Sequence, residues 1–565
     1  MLSIKRIGVI GRTYRHLNRY RQILSVFFKY GFENFIEQLK IDHYLEIGFK
    51  MVSNKRRDKV AKLTKQERIR LALEELGPTY IKLGQTLSTR TDLISVDLIN
   101  ELTKLQDNVP PFPFSEAKKI IESDLNTGID NIFDFIDEKP IASASIAQVH
   151  KARLFDGEEV AVKIQRPGIK RIIEVDLEIM LYLANLMERH IKEIALQRPV
   201  KIVEEFARTL AKEIDFRIEA TNIERFNKNF INDKTTYIPV VFRQLTTSRV
   251  LTMEFVKGIK VSEIDCLEKA GLDRKKITKR GANLILKQIF NHGFFHADPH
   301  PGNIFVLPDN VICLVDFGMV GFVDRQTREY FVNLIDSVVQ KNASKVALAM
   351  LELADTDQTP DMSLFEREVA DFMNQHLYKQ LKDIETGKLL QNLFEIASHH
   401  NLRIPPNIIM MLKAIVTIEG VGLMLDPDFD IIDLAEPFIR RIKLDRYSPK
   451  RITDDILVFT KELMQFTQQF PKDLLDISKL AKQNKISVNI RHHGLENMLA
   501  THHQISNRIS FAIVIAALLI GSAIIINSKI PPLFFGISLI GIIGFVTAAI
   551  MGFWLLIAII KKGRL

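Results

Sequence analysis

The sequence predicts an α+β fold of two lobes, with a helical N-terminal extension and a C-terminal transmembrane helical hairpin. Three observations carry that reading. The first is a short apolar meander that ends in Val160-Ala161-Val162-Lys163. The second is a polar loop, Asp298 to Asn303, followed after one apolar strand by Asp316-Phe317-Gly318. The third is a pair of long uncharged stretches near the C-terminus. The 565 residues leave room for about three to five structural units. Hydrophobic residues make up 47% and charged residues 26%, a globular composition that excludes wholesale disorder. Two cysteines, Cys266 and Cys313, exclude a disulfide framework and a Cys-based zinc site.

The meander comes first. After Pro140 the run Ala142-Ser143-Ala144-Ser145 leads into an apolar strand, Asp156-Gly157 supplies a tight turn, and Glu159–Ile164 returns. Strand alternation puts Val160, Val162 and Ile164 on one face and Ala161 and Lys163 on the other, facing a cleft. A V-A-[IV]-K strand is the mark of a kinase-like third strand whose lysine holds nucleotide phosphates. Arg249–Phe255 reads as the strand leading into a hinge. Met253 falls at the gatekeeper position, and adenine would bond backbone groups near Glu254 and Val256.

The polar loop supplies the chemistry. In His296-Ala297-Asp298-Pro299-His300-Pro301-Gly302-Asn303, Asp298 and Asn303 have the D-x4-N spacing of a catalytic loop, a base or acceptor positioner and a metal ligand. Asp316, after the strand Val311–Val315, adds a second oxygen ligand of the kind Mg²⁺ requires. These motifs in this order predict a two-lobed protein-kinase-like fold that binds ATP and Mg²⁺. Two departures stand out. The phosphate loop Ala142–Ser145 has no glycine, and φ > 0 is costly for Ala and Ser, so it cannot hug phosphates in the usual way. No platform for a peptide substrate follows Gly318.

The whole set resembles the UbiB-type (AarF) atypical protein-kinase-like family over residues 65–450. Lys82-Leu83-Gly84-Gln85 is similar to its KxGQ motif, and Ala142–Ser145 to its alanine-rich loop. Glu213-Ile214-Asp215-Phe216-Arg217-Ile218-Glu219 is similar to its ExD helix, and His296–Asn303 to its H-x-D-P-H-P-G-N loop. The resemblance implies that Lys163 holds the α/β-phosphates and pairs with Glu219, that Asn303 and Asp316 bind Mg²⁺, and that Asp298 stands at the base position. It also implies a KxGQ helix folded over the cleft, with Lys82 facing Glu213 and Asp215, Gln85 nearby, and peptide substrates blocked.

The ends of the chain point to a membrane. Ile509–Ile526 is an uncharged run of 18 residues, ~27 Å as a helix, and Pro531–Ile560 is a second of 30. The average hides them: mean hydropathy is only +0.04. Arg491 and Arg508 before the first run, and Lys561, Lys562 and Arg564 after the second, put the remainder of the chain in the cytoplasm by the positive-inside rule, as a two-helix cell-membrane protein. Small residues at four-residue spacing (Ala512/Ala516, Ala517/Gly521, Gly544/Ala548/Gly552) fit close helix packing within the hairpin or between two copies. Residues 1–32 hold seven of the basic residues behind the net charge of +9 and no acid, with Ile23, Leu24, Phe27 and Phe28 on one helical face. That is the pattern of an amphipathic helix on an anionic membrane, with nucleic acid disfavoured.

The expected organisation is a basic membrane-adjacent lead (1–60), a helical KxGQ extension (61–135), and a kinase-like ATP-binding domain (136–450) with an ExD insert (170–235). A helical linker (451–508) and two transmembrane helices (509–560) follow. The expected function is a membrane-anchored atypical kinase or ATPase that uses MgATP to support isoprenoid-quinone (ubiquinone-type) or related prenyl-lipid biosynthesis. Its expected partners are membrane lipids, isoprenoid-quinone precursors and quinone-biosynthesis enzymes. The alternatives are a nucleotide-sensing scaffold without productive turnover and a true protein or small-molecule kinase.

Overall fold

The computed structural model describes residues 13–39, 63–88, 90, 94–105, 109–191, 194, 198–354, 360–376, 386–400, 402–446, 448–482, 495–534 and 537–562. Lys5, Arg6, Arg12, residues 40–60, Arg491 and Arg564 lie outside them. The chain divides into two units, Met1–Thr453 and Asp454–Leu565.

The first unit opens with helix α1 (Thr13–Lys29), the basic lead. Its apolar face packs inside the protein, with Ile23, Leu24 and Phe28 buried in the core. Arg19 donates from Nε to the fully buried Asp176 at 2.7 Å, and Lys29 pairs with Glu75, so two of the seven cations are bound internally. The amphipathic pattern was real, and its apolar stripe is satisfied by the fold itself. Helices α2 (Lys65–Leu76) and α3 (Pro78–Leu87) follow. The first begins with a capping box between Thr64 and Glu67, and Pro78 opens the second after Gly77 at φ +96°.

The small lobe is a five-stranded sheet. Strands β1 (Phe133–Ile136), β3 (Ala147–Leu154), β4 (Glu159–Gln165) and β6 (Val250–Glu254) lie in that order, with β2 (Ala142–Ser143) on the end of β3. Val160, Val162 and Ile164 are fully buried against Ile121 and Ala117 of helix α4 (Phe114–Leu125). That helix and β1 therefore belong to the small lobe, and the extension that sequence reasoning ran to residue 135 ends before Phe112. Between β4 and β6 come three helices, α5 (Ile169–His190), α6 (Pro199–Glu213) and α7 (Phe216–Phe230), and the short strand β5 (Thr236–Tyr237). The ExD segment is not one helix. Glu213 ends α6, and Asp215 caps α7 by accepting from Arg217 N.

In the large lobe, β7 (Ile259–Lys260), β9 (Ile304–Leu307) and β10 (Val311–Leu314) form a sheet with β5, while β8 (Phe294–His296) pairs with β11 (Val320–Phe322). Helix α8 (Arg274–Leu286) runs on into a π-helical turn, Lys287–His292, just before β8. Gly293 ends that turn at φ +62°, where a Cβ would lie 2.4 Å from the Val323 carbonyl oxygen, so only glycine fits. Helices α9 (Arg325–Val339), α10 (Ala343–Leu353), α11 (Met362–His376), α12 (Thr386–His399), α13 (Pro406–Leu425) and α14 (Ile431–Asp445) complete the lobe. Helix α13 is long and apolar enough to cross a membrane, but most of it is buried among its neighbours and it serves as a core helix.

Helix α15 (Pro449–Lys482) starts in the first unit and continues into the second, where Ile456, Leu457, Leu463, Met464, Phe466 and Phe470 are exposed. The second unit then holds helices α16 (Leu495–Asn527) and α17 (Leu539–Lys562), joined through a small β12–β13 hairpin (Leu533–Phe534, Ile537–Ser538). The second uncharged stretch thus starts as a turn, not as helix. The two helices meet where a Cβ on Gly544 would lie 2.3 Å from Ser522 Oγ and one on Gly541 2.5 Å from Ile526. Ala548 is buried, whereas Ala512, Ala516 and Ala517 face outward and Gly521 and Gly552 have nothing near their Cβ positions. Only part of the expected small-residue pattern is used inside the hairpin.

One buried histidine links this architecture to pH. His150 on β3 is fully buried against Phe114, with Nε2 beside the Gln148 amide and Nδ1 beside the Asp137 carbonyl, both at 2.8 Å. Burial lowers its pKa below 6.5. A group depressed in this way contributes stability that is complete above pH 6.5 and lost as pH falls further. The thermal unfolding midpoint of the wild type should fall more between pH 7.5 and 5.5 than that of His150→Phe, and equal slopes would remove this assignment.

Candidate nucleotide site

Lys163 rises from β4, the central strand of the small lobe, because the opposite face of that strand is locked into the core. Its ammonium reaches both Glu219 carboxylate oxygens, at 2.8 and 2.9 Å, and Asp316 Oδ1 at 3.4 Å. Burial alone would lower the lysine pKa, but Asp316 and Glu219 outweigh it and hold Lys163 protonated well above its usual value. Lys163 in turn holds the Asp316 carboxyl well below the usual carboxylate range.

Helix α7 carries more than Glu219. Three residues on, Asn222 Nδ2 donates to the Phe317 carbonyl at 3.0 Å, and seven on, Phe226 packs on the Phe317 ring at 5.0 Å between centroids. Spacing of three and seven puts all three on one helix face. Asp316 itself adopts φ +63° and accepts from Gly318 N through Oδ1, which turns its half-exposed carboxylate outward while Phe317 is fully buried. Asp is one of the few residues that enters this left-handed region readily.

The catalytic loop is fastened to the same point. Asp298 N donates to His296 Nδ1 at 3.2 Å, so the His296 proton sits on Nε2 and is donated to the Asp316 carbonyl at 2.8 Å. Asn303 Nδ2 lies 3.4 Å from the Asp298 carbonyl, and Val315 N donates to the Asn303 carbonyl, so the β9–β10 pair brings Asn303 beside Asp316. The Asp298 carboxylate contacts Lys413 of α13 at 3.0 Å. Only six residues separate Gly318 from α9, too few for a peptide-binding platform.

At the hinge, Met253 pairs with Ala161 and is nearly buried. Glu254 N donates to the Val240 carbonyl and Phe255 N to that of Glu159, so the Glu254 group left for a base is its carbonyl. Tyr237 donates to the Glu254 carboxylate at 2.7 Å. The phosphate loop needs no left-handed residue. Ala142 and Ser143 form β2 against Val149 and Gln148, Arg166 donates to the Ala144 carbonyl at 3.3 Å, and Ser145 is fully buried with a hydroxyl that has no hydrogen-bond partner among the described residues.

Among the described residues of the extension, Lys82 reaches the site. Lys82 on α3 pairs with Glu213 at 2.6 Å and is close enough to help depress Asp316. Asp215, expected beside Lys82, instead pairs with Arg217 at 2.6 Å. Gln85 points elsewhere and donates to the Leu105 carbonyl at 3.3 Å, while Gly84 lets Leu73, Leu102 and Leu105 close against the helix.

Asn222, Phe226, Arg166 and Lys413 lie outside the sequence motifs. The first two had a signal in their spacing from Glu219. Lys413 had one too: within α13 the only other charge is Glu419.

A lysine–glutamate pair on a small-lobe strand and helix, with a D-x4-N loop and a buried Phe behind a turned-out Asp, is a protein-kinase-like arrangement. The chain matches the ABC1 atypical kinase-like domain over residues 104–350, the UbiB helical domain over 369–430 and the ABC1/UbiB kinase-like C-terminal domain over 493–561. It is 36% identical to a "Probable protein kinase UbiB" of Azotobacter vinelandii, across 76% of this chain and 80% of that protein. A Clostridium pasteurianum protein described as "Uncharacterized protein in hydrogenase 1 5'region" is 33% identical across 94% of this chain and 99% of its own length. A solved Mycobacterium tuberculosis protein, in complex with erythromycin, aligns at 27% identity and a TM-score of 0.48 over 68% of this chain and 98% of that one. The chain belongs to the UbiB family of atypical kinase-like proteins.

The Lys82–Glu213 pair is mostly shielded from solvent. Lys82→Met and Glu213→Gln should each lower stability by about 2 kcal/mol, and the double variant should lose no more than the worse single one. Additive losses in the thermal unfolding cycle would show that the two do not act as a pair.

Proposed function

We propose that the chain binds MgATP in this cleft and turns it over as a membrane-anchored atypical kinase or ATPase in support of isoprenoid-quinone or related prenyl-lipid biosynthesis. The observation that carries the reading is the chain of contacts that joins Lys163, Glu219, Asp316, Asn303 and Asp298. The donor set fits the ligands. Asn303 and Asp316 supply oxygen to a hard cation that completes its shell with water and phosphate. The buried Ser145 hydroxyl, without a partner among the described residues, and the Lys163 ammonium would donate to phosphate oxygens. Bound Mg²⁺ would neutralise charge on the transferring phosphoryl group. The residues of this chain orient the rest: Lys163 fixes the α/β-phosphates, and Asp298 positions the acceptor.

The acceptor side is narrow. The extension holds Lys82 against the mouth of the site, and the short link from Gly318 to α9 provides no surface for a peptide, which favours water or a small acceptor. The lipid side of the proposal rests on the second unit, with two apolar helices of membrane-spanning length and the exposed apolar residues of α15. Basic residues flank both ends of the apolar pair and one lysine lies between, an arrangement that favours a cytoplasmic catalytic unit. Family membership, with relatives described as probable protein kinases UbiB, supports the kinase-like assignment and the proposed pathway.

Asp316→Asn should lower Mg-dependent phosphate release from detergent-solubilised protein at least about a hundredfold, the scale for loss of one preorganised charge at a reaction centre, with and without anionic lipid. Normal turnover in the folded variant would sink the active-site assignment. Nucleotide binding by the wild type without phosphate release would favour the scaffold reading.

A further inference from the structure

We propose that Lys413, supplied by helix α13 far along the chain, is a cation of the phosphoryl-transfer cleft that orients the Asp298 carboxylate and faces the terminal phosphate of the bound nucleotide. This rests on the nucleotide reading above and extends it to a residue of the helical domain.

The sequence environment makes the lysine conspicuous. Helix α13 has 20 residues and two charges, and Met411, Leu412, Ala414 and Ile415 on either side of Lys413 are buried. A cation in so apolar a helix needs a reason to be there. Stability is a poor one. The Lys413 and Asp298 side chains are each about a third exposed, at 32% and 30%, and a pair this open to solvent contributes little to folding.

The geometry supplies the reason. Asp298 is held by its backbone on three sides, through His296 Nδ1, the His300 amide and the Asn303 side chain. None of these sets its carboxylate. Lys413, at 3.0 Å from Oδ1, does. Helix α13 packs on α8 and on β11, the strand that follows Gly318 and pairs with the His296 strand, so the lysine is indexed to both loops of the site.

Charge balance points the same way. Lys163 is matched by Glu219 and Asp316, and Lys82 by Glu213. The acceptor side presents the carboxylate of Asp298, and a transferring phosphoryl group adds negative charge on its equatorial oxygens. A fixed ammonium on that side stabilises this charge more in the transition state than in the ground state.

The full-length, detergent-solubilised protein tests this with Lys413→Met, Lys413→Arg, Asp298→Asn and the double variant Lys413→Met/Asp298→Asn. Methionine suits an apolar helix, and an unchanged unfolding midpoint verifies folding. In Lys413→Met, kcat should fall roughly a hundredfold while the KM for MgATP rises only a few-fold. Arginine should recover most of the loss, and the double variant should be no slower than Asp298→Asn. Equilibrium binding gives a readout without turnover: the wild-type preference for the Mg²⁺ complex of the imido analogue of ATP over MgADP should shrink in Lys413→Met, with MgADP affinity unchanged. If the wild type releases no phosphate, the turnover reading fails and this binding comparison alone decides the role of Lys413. Wild-type kcat in Lys413→Met, or an unaltered nucleotide preference, overturns the inference.

Discussion

The contact between Lys163 and Glu219 is the constraint on which the site depends. Both side chains are largely shielded from water, at 13% and 5% exposure, and they lie 56 residues apart in the chain. Removing one member of such a pair leaves an uncompensated charge at a cost of ~3–5 kcal/mol. Strand β4 and helix α7 are therefore held at one separation. Because Asn222 and Phe226 share the face of Glu219, the same contact fixes Phe317, and with it the outward turn of Asp316. The position of the Asp316 carboxylate is thus a consequence of a lysine on a strand of the other lobe.

Two family-specific additions close on this centre from opposite directions. The N-terminal extension brings Lys82 to Glu213, one turn before the helix that carries Glu219 begins. The helical domain brings Lys413 to Asp298. Each addition places a cation against an acid at the edge of the cleft. Each is anchored by apolar burial, the first through Leu73, Leu102 and Leu105 around Gly84 and the second through the buried face of α13.

Much of the site was legible because its chemistry demands fixed residue types at fixed spacings. V-A-V-K alternation, D-x4-N and the Asp-Phe-Gly turn each express a local geometric need, and the resemblance to the UbiB family added Lys82, Glu213 and Glu219. What could not be read was tertiary. Asp215 lies two residues from Glu213, yet a helix break makes it a cap held by Arg217. The stripe on α1 has the period of a membrane-surface helix, and period alone does not distinguish lipid from a protein core as the apolar partner. Helix α13 shows the converse, with the length and composition of a membrane span and a place inside the large lobe. Lys413 was visible as an anomaly in that helix, but its partner lies 115 residues earlier and only the fold brings the two together.

The central claim is that these side chains form one MgATP site. Its most direct test is an experimental structure of the full-length protein with Mg²⁺ and the imido analogue of ATP. The expected result is metal density at Asn303 and Asp316, the α/β-phosphates on Lys163, and the adenine at the Glu254 carbonyl. Nucleotide bound elsewhere, or no nucleotide bound under saturating MgATP analogue, would rule out a shared MgATP site.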